Sequence, residues 1–509
     1  MSKRQSKVAD VVIAGYGLSG GVAAIVAHDL GAKVLMLEKA KYPGGCSILS
    51  GGQIKCVRDV EGAVRYFKEM SGGRIDDELV VAFAEGLAGN EAFLRDLAKV
   101  NGARLSTATR RQGIVPGSGV YPYPGHDSLY SIRVASIPDF SGFPWVVTAL
   151  PAGTAIMKLI MDNMESRGIE VLFQTPAKRL VADAQGALTG LIAETGDGEM
   201  EIIARRAVIL ATGGFEQNDW MRKQSLQGVP FYSMAPFTHT GDGITMAQKM
   251  GAAVWHMWHI HGSYGFKFPE HRIAFRHPFG GCRNPNRKMP WIVVDRFGSR
   301  YMDEYPPAPQ DIAHRPMEIF NPDLPGYPRI PSYIVFDEDG RLRGPVAHPL
   351  AFEGEIYKWS KDNSEEIEKG WILTAPTLGE LAQKIRGVPE NGDLMDETKL
   401  ESASAQWNEI VRVGKDPLGR PRGTMLPIKT PPFYAAQVWP VITNTQGGPV
   451  HNPHQRVMDS FGQPIPGLYA TGELGSFFGH LYELEGNLGE CVSSGRIAGE
   501  RAARETPRN

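Results

Sequence analysis

One stretch near the beginning of the chain restricts the possible folds more than any other. Residues 10–38, DVVIAGYGLSGGVAAIVAHDLGAKVLMLE, contain two short apolar runs on either side of a glycine-rich turn and an alanine-rich segment. This pattern predicts a strand over 11–14, a helix that ends near Gly31 and a second strand over 34–37. Because two parallel strands joined by a helix are the unit of α/β folds, we predict a Rossmann-like α/β domain.

The glycines of this stretch have the spacing G-x-G-x-x-G, which is typical of a turn that binds a dinucleotide. Gly15 allows the tight turn, Gly17 lets a pyrophosphate approach the backbone, and Gly20 lets the helix pack on the strand. The phosphates would lie at the helix N-terminus, where free N–H groups and the helix dipole favour anions. Glu38 could accept hydrogen bonds from both ribose hydroxyls of an adenosine. The alternative is a glycine-rich turn with a purely structural role.

The composition of the chain excludes several kinds of protein. With 509 residues, the chain is long enough for two or three domains. Its formal net charge is −2, so we expect no nucleic acid partner. No apolar run reaches the roughly 18 residues of a membrane span, and the first residues lack an apolar signal segment. The four cysteines have neither C-x-x-C nor metal-ligand spacing, so we predict a reducing compartment and a cytoplasmic protein.

Three further segments carry a family resemblance. The loop YPGGCSILSGG at 42–52 follows Glu38 and Lys39, and the blocks ATGGF and HTGDG begin at positions 211 and 239. Together they resemble the flavoprotein subunits of fumarate reductase and succinate dehydrogenase, and their relatives the 3-ketosteroid dehydrogenases. The resemblance covers nearly the whole chain. It implies a two-dinucleotide-fold flavoprotein, with an FAD-binding domain at 1–257 and 444–509 and an inserted α+β capping domain at 258–443.

The resemblance also implies which residues bind FAD. Besides the glycine turn and Glu38, the expected residues are Leu18, Ser19, Lys39, Gly45, Cys46, Ser47, Ser50, Gly51, Gly52, Ala177, Thr212, Gly213, Asp242, Gln446, Gly447, Glu473, Asn487 and Leu488. Relatives place Asp242 next to the flavin. Some relatives carry a histidine near the 42–52 loop that bonds covalently to the flavin. Here Cys46 and Ser47 occupy that region, so we expect non-covalent FAD, with a thioether from Cys46 as the alternative.

The substrate residues depart from the fumarate reductase pattern. Three cationic positions of that family fall on Ala308, Thr445 and Glu483 in this chain. A carboxylate substrate would meet Glu483 and Glu485 instead, and like charges repel. We therefore expect fumarate, succinate and similar dicarboxylates to be disfavoured.

The segment HLYELEG at 480–486 is similar instead to the H-x-Y-P-G-P-G segment of the ketosteroid dehydrogenases. In that family the tyrosine and the glycine N–H donate hydrogen bonds to the substrate ketone oxygen, which implies that Tyr482 and Gly486 stabilise an enolate here. The implied reaction is desaturation of a ketone, cyclic or steroid-like, at its α and β carbons. A base would remove the α-proton and flavin N5 would take the β-hydride. The alternative is that Tyr482 is an ordinary aromatic residue beside the flavin.

Three tyrosines are candidates for the base that removes the α-proton. In the ketosteroid dehydrogenases a tyrosine stands where this chain has Ala308, and Tyr305 is close to that position in sequence. Tyr121 or Tyr123 of a tyrosine-rich loop could serve as a tyrosinate if a neighbour lowers its pKa. A surface loop with packed aromatic residues is the alternative for these two tyrosines.

Other functions also remain open. The second interpretation is the reverse reaction, in which an ene-reductase acts on an enone or a fumarate-like activated alkene. The third is a subunit that binds FAD and passes electrons within a complex, and a non-enzymatic FAD-binding module is the last. The electron acceptor could be a dye, a quinone, oxygen or a protein. We expect no metal, because the histidines at 256, 259, 261 and 277 have no carboxylate or cysteine at ligand spacing.

Overall fold

The structure is a computed structural model, and it describes residues 5–108, 120–146, 152–278, 288–352 and 355–508. These residues form an eight-stranded sheet, a seven-stranded sheet and three small sheets, with helices packed against them. Within the described part of the chain, no helix combines the length and the apolar character needed to cross a membrane.

The eight-stranded sheet is built around the stretch that the sequence singles out. Its central strand, Gln5–Ala14, pairs in parallel with Val34–Leu37 on one side and with Gly198–Leu210 on the other. Pro464–Ala470, from the far end of the chain, extends the parallel order beyond Gly198–Leu210. The remaining strands are Glu170–Leu172, Ala177–Ala182, Leu188–Thr195 and Arg456–Met458. The predicted α/β class and both predicted strands are confirmed.

Two helices pack closely on one face of this sheet. The first, Leu18–Asp29, confirms the predicted helix, and the second, Gly486–Ala503, comes from the C-terminal segment. A Cβ atom at Gly495 would lie 2.6 Å from the carbonyl oxygen of Ser19, and one at Gly499 would lie 2.5 Å from that of Ala23. Because side chains at these two positions would collide with the facing backbone, the glycines let the C-terminal helix reach the glycine turn.

The seven-stranded sheet has the long strand Phe433–Thr445 at its centre. Its other strands are Tyr232–Ser233, Ile260–Phe266, Phe275–Arg276, Ile292–Val294, Ser332–Asp337 and Ile372–Ala375. Phe433–Thr445 pairs antiparallel with three of them and parallel with Tyr232–Ser233, which precedes residue 258 in the chain. The domain boundaries given above remain predictions.

The other elements are short. Three small sheets are formed by Gln53–Val57 with Arg104–Ala108 and Leu129–Ser136, by Val254–Trp255 with Gly448–Pro449, and by Leu350–Phe352 with Glu355–Tyr357. The remaining helices are Gly45–Leu49, Val60–Ser71, Asp77–Ala88, Asn90–Leu97, Ala152–Ser166, Asp219–Ser225, Asp242–Lys249, Pro309–Ile312, Glu338–Arg341, Ser364–Glu368, Leu378–Arg386 and Glu397–Val413. Four 3-10 helices are His126–Ser128, Arg315–Glu318, Pro389–Asn391 and Arg422–Thr424.

Candidate active site

A cavity of about 760 Å³, partly open to solvent, lies at the carboxyl ends of the central parallel strands, since Ala14, Leu37 and Ala211 line it. Ligands of open α/β sheets bind at this edge. The predicted cofactor residues that line the cavity are Gly15, Gly17, Leu18, Ser19, Glu38, Lys39, Gly45, Cys46, Ser47, Ala177, Thr212, Gly213, Asp242 and Glu473. Those that do not line it are Gly20, Ser50, Gly51, Gly52, Gln446, Gly447, Asn487 and Leu488.

Several lining residues were not predicted from the sequence. They are Tyr16, Thr175, Pro176, Thr238, His239 and Cys491, besides the three strand-end residues. Tyr16 lies inside the glycine motif and His239 opens the HTGDG block, so their neighbours in sequence could have indicated both. Thr175 and Cys491 come from segments without a motif, and only the fold brings them to the cavity.

The glycine turn forms an open cradle at the start of the Leu18–Asp29 helix. A Cβ atom at Gly17 would have Ser47 Oγ, at 3.8 Å, as its nearest neighbour, so the space beside this backbone is free. At Gly15 the φ angle is +109°, and a Cβ atom there would lie 2.2 Å from the carbonyl oxygen of Ala211. Gly17 is the N-cap of the helix and supplies no side-chain cap. The N–H of Leu18 donates to Ser47 Oγ at 3.2 Å. The free space and the N–H groups that follow Leu18 fit a pyrophosphate.

At one end of the cavity, Glu38 is fixed by two backbone amides. Its carboxylate accepts the N–H groups of Tyr16 and Ala40, both at 2.7 Å. Each oxygen keeps a second lone pair for a ribose hydroxyl. Lys39 pairs with Asp242 at 2.8 Å. Asp242, which the resemblance places next to the flavin, therefore lies beside Lys39, the neighbour of Glu38 in sequence.

Buried polar atoms without a partner mark the other end of the site. Within the described part of the chain, no hydrogen bond reaches Thr212 Oγ1, Asn487 Oδ1 or either amide atom of Gln446. Buried polar atoms in proteins are nearly always paired, so these atoms are suited to a ligand. Gln446 and Asn487 do not line the cavity, but their unpaired atoms agree with a cofactor contact.

A buried acid pair lies beside the cavity. Thr445 donates its N–H to Glu216 Oε1 at 2.8 Å and to Glu473 Oε1 at 3.1 Å. Burial and the charge of Glu216 raise the pKa of Glu473 well above its usual range. Burial acts against ionisation of Glu216 too, but His239, whose Nδ1 is 3.1 Å away, holds the pKa of Glu216 low. Glu473 therefore carries the proton and Glu216 the charge.

Cys46 Sγ lies 3.7 Å from His239 Nδ1, next to this pair. Burial, and then the charges of Glu473 and Glu216, raise the pKa of Cys46 well above its usual range. Ligand atoms of Cys46, Glu216, His239 and Glu473 all lie within 4.8 Å of one another, which is close enough for a metal. Binding of a metal here would require the thiol and Glu473 to release their protons. A protonated thiol is also a poor nucleophile, which argues against a thioether to the flavin.

Tyr482 is buried in an aromatic group. Its ring stacks on that of His261 with centroids 4.1 Å apart and meets Phe478 edge to face. Burial raises the pKa of Tyr482 against the opposing effect of a hydrogen bond from the Asn487 N–H. The phenol is therefore neutral. A neutral phenol keeps its proton and can donate it.

The amide of Gly486 differs from the expectation. It donates to the carbonyl oxygen of Glu483 at 2.8 Å, so it is not free to bind a ketone in this conformation. The reason is local, because Glu485 has a φ angle of +73° and closes a tight turn just before the C-terminal helix. The spacing of Tyr482 and Gly486 is as predicted, but the structure shows only the phenol ready to donate.

The two acids near Tyr482 share a cationic partner that was not predicted, which offsets part of the repulsion expected for a carboxylate substrate. Glu483 accepts hydrogen bonds from Lys55 Nζ at 3.0 Å and from the hydroxyl of Tyr66 at 2.6 Å. Glu485 Oε2 lies 3.6 Å from the same Lys55 Nζ and accepts a hydrogen bond from Ser131. Both carboxylates are thus held by Lys55, whose side chain is completely buried. The sequence did not reveal Lys55, which lies more than four hundred positions away in the chain.

A buried carboxylate, Asp311, links the residues around Tyr482. It accepts the hydroxyl of Tyr121 at 2.5 Å and the backbone N–H of Tyr482 at 2.8 Å, both on Oδ2. Its Oδ1 accepts from His259 Nε2 at 2.9 Å and from Arg315 at 3.3 Å. Burial would raise the pKa of Asp311, but these donors lower it well below its usual range. The charged carboxylate therefore fixes Tyr121 and Tyr482 relative to each other.

The three candidate bases lie in different surroundings. Burial and the Asp311 carboxylate raise the pKa of Tyr121 well above its usual range, so Tyr121 lacks the pKa-lowering neighbour that a tyrosinate would need. Tyr123 is half-buried and stacks on Tyr121 with centroids 5.7 Å apart. Tyr305 is completely buried in the apolar cluster of the seven-stranded sheet, whereas Tyr482 and Tyr121 share another cluster. Tyr121 is the candidate that the structure brings close to Tyr482.

Comparison with known proteins agrees with this geometry. Residues 10–488 match the FAD binding domain family. The chain is 25% identical to a 3-oxosteroid 1-dehydrogenase of Comamonas testosteroni, over 91% of this chain and 90% of that protein. It is also 25% identical to a 4-oxocyclohexanecarboxylate 2-dehydrogenase of Sinomonas cyclohexanicum, over 97% of this chain and 92% of that protein.

A solved structure shows the same fold. The crystal structure of 3-ketosteroid delta1-dehydrogenase from Sterolibacterium denitrificans superposes with a TM-score of 0.78, at 22% identity, and covers 97% of this chain and 99% of that chain. The family match covers most of the chain, and the cavity has the free space and the unpaired polar atoms that FAD requires. The chain therefore belongs to the FAD binding domain family, and it is an FAD-dependent oxidoreductase.

Proposed function

We propose that the protein is a dehydrogenase that acts on a CH–CH bond of a cyclic ketone and introduces a double bond between the α and β carbons. The observation that carries the proposal is the position of Asp311, which binds the backbone of Tyr482 and the hydroxyl of Tyr121 through the same oxygen atom. The main chain of Tyr482, the proposed proton donor for the carbonyl oxygen, is thereby joined through Asp311 to the hydroxyl of Tyr121, the proposed acceptor for the α-proton. The relatives named for ketone substrates support this choice.

The cavity residues would hold FAD without a covalent bond. Gly17 and the first N–H groups of its helix would bind the pyrophosphate, and Glu38 the adenosine ribose. Thr212, Gln446 and Asn487 would pair their free polar atoms with the rest of the cofactor. When bound, FAD supplies the acceptor for the β-hydride.

Tyr482 would donate its proton to the ketone oxygen. Burial keeps the phenol neutral, so it retains the proton that it would donate. A hydrogen bond of this kind stabilises the negative charge that develops on the carbonyl oxygen when the α-proton leaves, and loss of one such donor typically costs about 10²–10³ in kcat. His261 stacks on the ring and fixes its orientation.

Tyr121 would accept the α-proton. The substrate C–H bond would break as a new O–H bond forms on Tyr121, and the original hydroxyl proton would move to Asp311 Oδ2, 2.5 Å away. This transfer runs against the raised pKa of Tyr121 and the lowered pKa of Asp311, so it depends on stabilisation of the enolate at Tyr482. His259 and Arg315 donate to the other oxygen of the same carboxylate and keep it in place.

The test is a set of three phenylalanine variants, assayed with a dye acceptor and a panel of steroid and small cyclic ketones. Tyr482→Phe and Tyr121→Phe should each lower kcat by about 100-fold or more while FAD stays bound. Tyr123→Phe should change kcat by less than about threefold and controls for the loss of a nearby phenol. A loss below about tenfold for Tyr482→Phe would remove its role.

The same residues can also serve the reverse reaction, reduction of an activated alkene, because Tyr121 can return the proton that it accepts. Anaerobic mixing with a cyclic ketone, followed at the flavin absorption band, distinguishes the two directions. Bleaching supports desaturation, whereas reoxidation of the reduced enzyme by an enone alone supports reduction. We keep the acceptor open among a dye, a quinone, oxygen and a protein, and a cytoplasmic location stays part of the proposal.

A further inference from the structure

A half-buried arginine near the Tyr482 group, Arg276, has no counter-ion among the residues that the structure describes. Arg276 lies on the strand Phe275–Arg276, which pairs with Ile260–Phe266, the strand that carries His261. Its Nε is buried and makes no hydrogen bond. Among the residues that the structure describes, none forms a salt bridge with Arg276.

Other buried arginines of the chain show what this position lacks. Arg300 forms salt bridges at 2.7 Å with Glu304 and with Asp416, and Arg420 lies 3.3 Å from Glu304. Arg420 also donates to the backbone carbonyl of Trp291 at 2.7 Å. An uncompensated buried charge costs several kcal/mol, and proteins normally pair it. Arg276 is therefore suited to an anion that arrives with a ligand.

The groups that face Arg276 do not neutralise it. Burial lowers the pKa of Arg276 to about 10, so the guanidinium is charged at neutral pH. Burial, and after it the charge of Arg276, lower the pKa of His261 to about 4, and the same two causes keep His277 neutral. Asp311 is already bound by His259 and Arg315. Tyr482 acts in the opposite direction to burial on the pKa of Arg276 and favours its charged form.

We propose that the substrate carries a carboxylate in addition to its ketone, and that Arg276 binds this carboxylate. The inference rests on the proposed function, because it assumes that the ketone oxygen is at Tyr482. A guanidinium presents a planar fork of N–H groups that matches a carboxylate and binds it through two hydrogen bonds. The acids that seemed to forbid such a substrate, Glu483 and Glu485, are both held by Lys55.

If Arg276 stabilised the enolate instead of binding a carboxylate, its replacement would change the kinetic constants in another way. If its charge served the enolate oxygen at Tyr482, its loss would lower kcat for every ketone to the same extent. If it binds a carboxylate, its loss raises KM for ketones that carry one and leaves the others almost unchanged. The difference between two matched substrates therefore decides between the roles.

The experiment compares 4-oxocyclohexanecarboxylate with its methyl ester, using the wild-type holoenzyme and the variants Arg276→Gln and Arg276→Lys. With Arg276→Gln, KM for the acid should rise by about 10–100-fold, as expected for the loss of charged hydrogen bonds, while KM for the ester changes less than about threefold. Arg276→Lys, which keeps the charge but not the fork, should lie between the two. Arg206→Gln, in which a guanidinium with a buried Nε is removed from the eight-stranded sheet, is the matched control and should leave both values unchanged.

A binding measurement separates this inference from the proposed reaction. Cyclohexanecarboxylate, which has no ketone, should shift the flavin absorption band of the wild-type holoenzyme and bind about 10–100-fold more weakly to Arg276→Gln. If this difference is found but neither ketone is oxidised, the carboxylate site stands and the proposed function fails. Equal losses of kcat for the acid and the ester, or a wild-type preference for the ester, would overturn the carboxylate site. The wild-type comparison needs no variant to fold.

Discussion

Replacing Lys55 with methionine removes a positive charge from the buried group behind Tyr482. Lys55 Nζ lies 3.0 Å from Glu483 Oε1 and 3.6 Å from Glu485 Oε2, and the side chains of Lys55 and Glu483 have 0% exposure. Methionine has a similar length and no charge, so the packing is largely kept. The variant leaves two buried carboxylates without the lysine that they share.

The expected loss in the free energy of unfolding follows from the burial of this ion pair. Removing one partner of a buried ion pair typically costs about 3–5 kcal/mol, because the other charge stays in a poorly solvated place. The free energy of unfolding of Lys55→Met should fall by this amount. The double variant Lys55→Met/Glu483→Gln should recover at least about half of the loss, since glutamine keeps an acceptor for the hydroxyl of Tyr66 and removes one negative charge.

The assay is urea unfolding of the FAD-saturated protein, followed by flavin fluorescence. Lys68→Met is the matched control, because Lys68 pairs with Asp77 at the surface, where the two side chains are 43% and 75% exposed. An exposed pair contributes below about 1 kcal/mol, so this control should lie close to the wild type. A loss below about 1 kcal/mol for Lys55→Met, or a double variant no more stable than the single one, would refute the reasoning.

Three further outcomes can be measured. Gly17→Val should weaken FAD binding at least about 100-fold with little loss of stability, because the valine side chain enters the space beside the glycine turn. Gly20→Ala should unfold the protein, since its Cβ would lie 2.0 Å from the carbonyl oxygen of Gly15. A flavin fluorescence titration measures the first effect and a thermal melt the second. Cys46→Ser should leave the amount of acid-extractable FAD unchanged, and a rise in extractable flavin would reveal a covalent bond in the wild type. Burial raises the pKa of Glu490 to about 7, so the folded state favours the protonated carboxyl. Between about pH 5 and 8 the free energy of unfolding of the wild type should therefore fall by roughly 3 kcal/mol, whereas that of Glu490→Gln should not. Urea midpoints at each pH measure the difference.

The cofactor end of the site could be predicted because its information is local. The strand, the glycine turn, the helix, the second strand and Glu38 follow one another in consecutive residues, and each step restricts the next. Fourteen of the predicted cofactor residues line the cavity. Asp242 shows the limit of such reasoning, because its position at the start of a helix did not indicate its pairing with Lys39.

The substrate end could not be predicted in the same way, because its residues come from distant segments of the chain. Asp311 and Arg276 have no motif around them, and only the fold brings them to Tyr482. The sequence gives the order of side chains but not the direction in which they point. From the sequence alone we therefore expected the charges of Glu483 and Glu485 to face the substrate, whereas both acids are bound by Lys55.

The turn before the C-terminal helix shows why a correct spacing does not fix a hydrogen bond. For the amide of Gly486 to bind a ketone oxygen, the carbonyl of Glu483 must first give up its donor. An exchange of one such bond for another changes the free energy by about 0.5–1.5 kcal/mol, which a bound carbonyl can offset. The phenol of Tyr482 needs no such exchange, because burial keeps it neutral and it retains its own proton to donate. The first contact with the ketone therefore belongs to Tyr482, and Gly486 can join only after the Glu485 turn has opened.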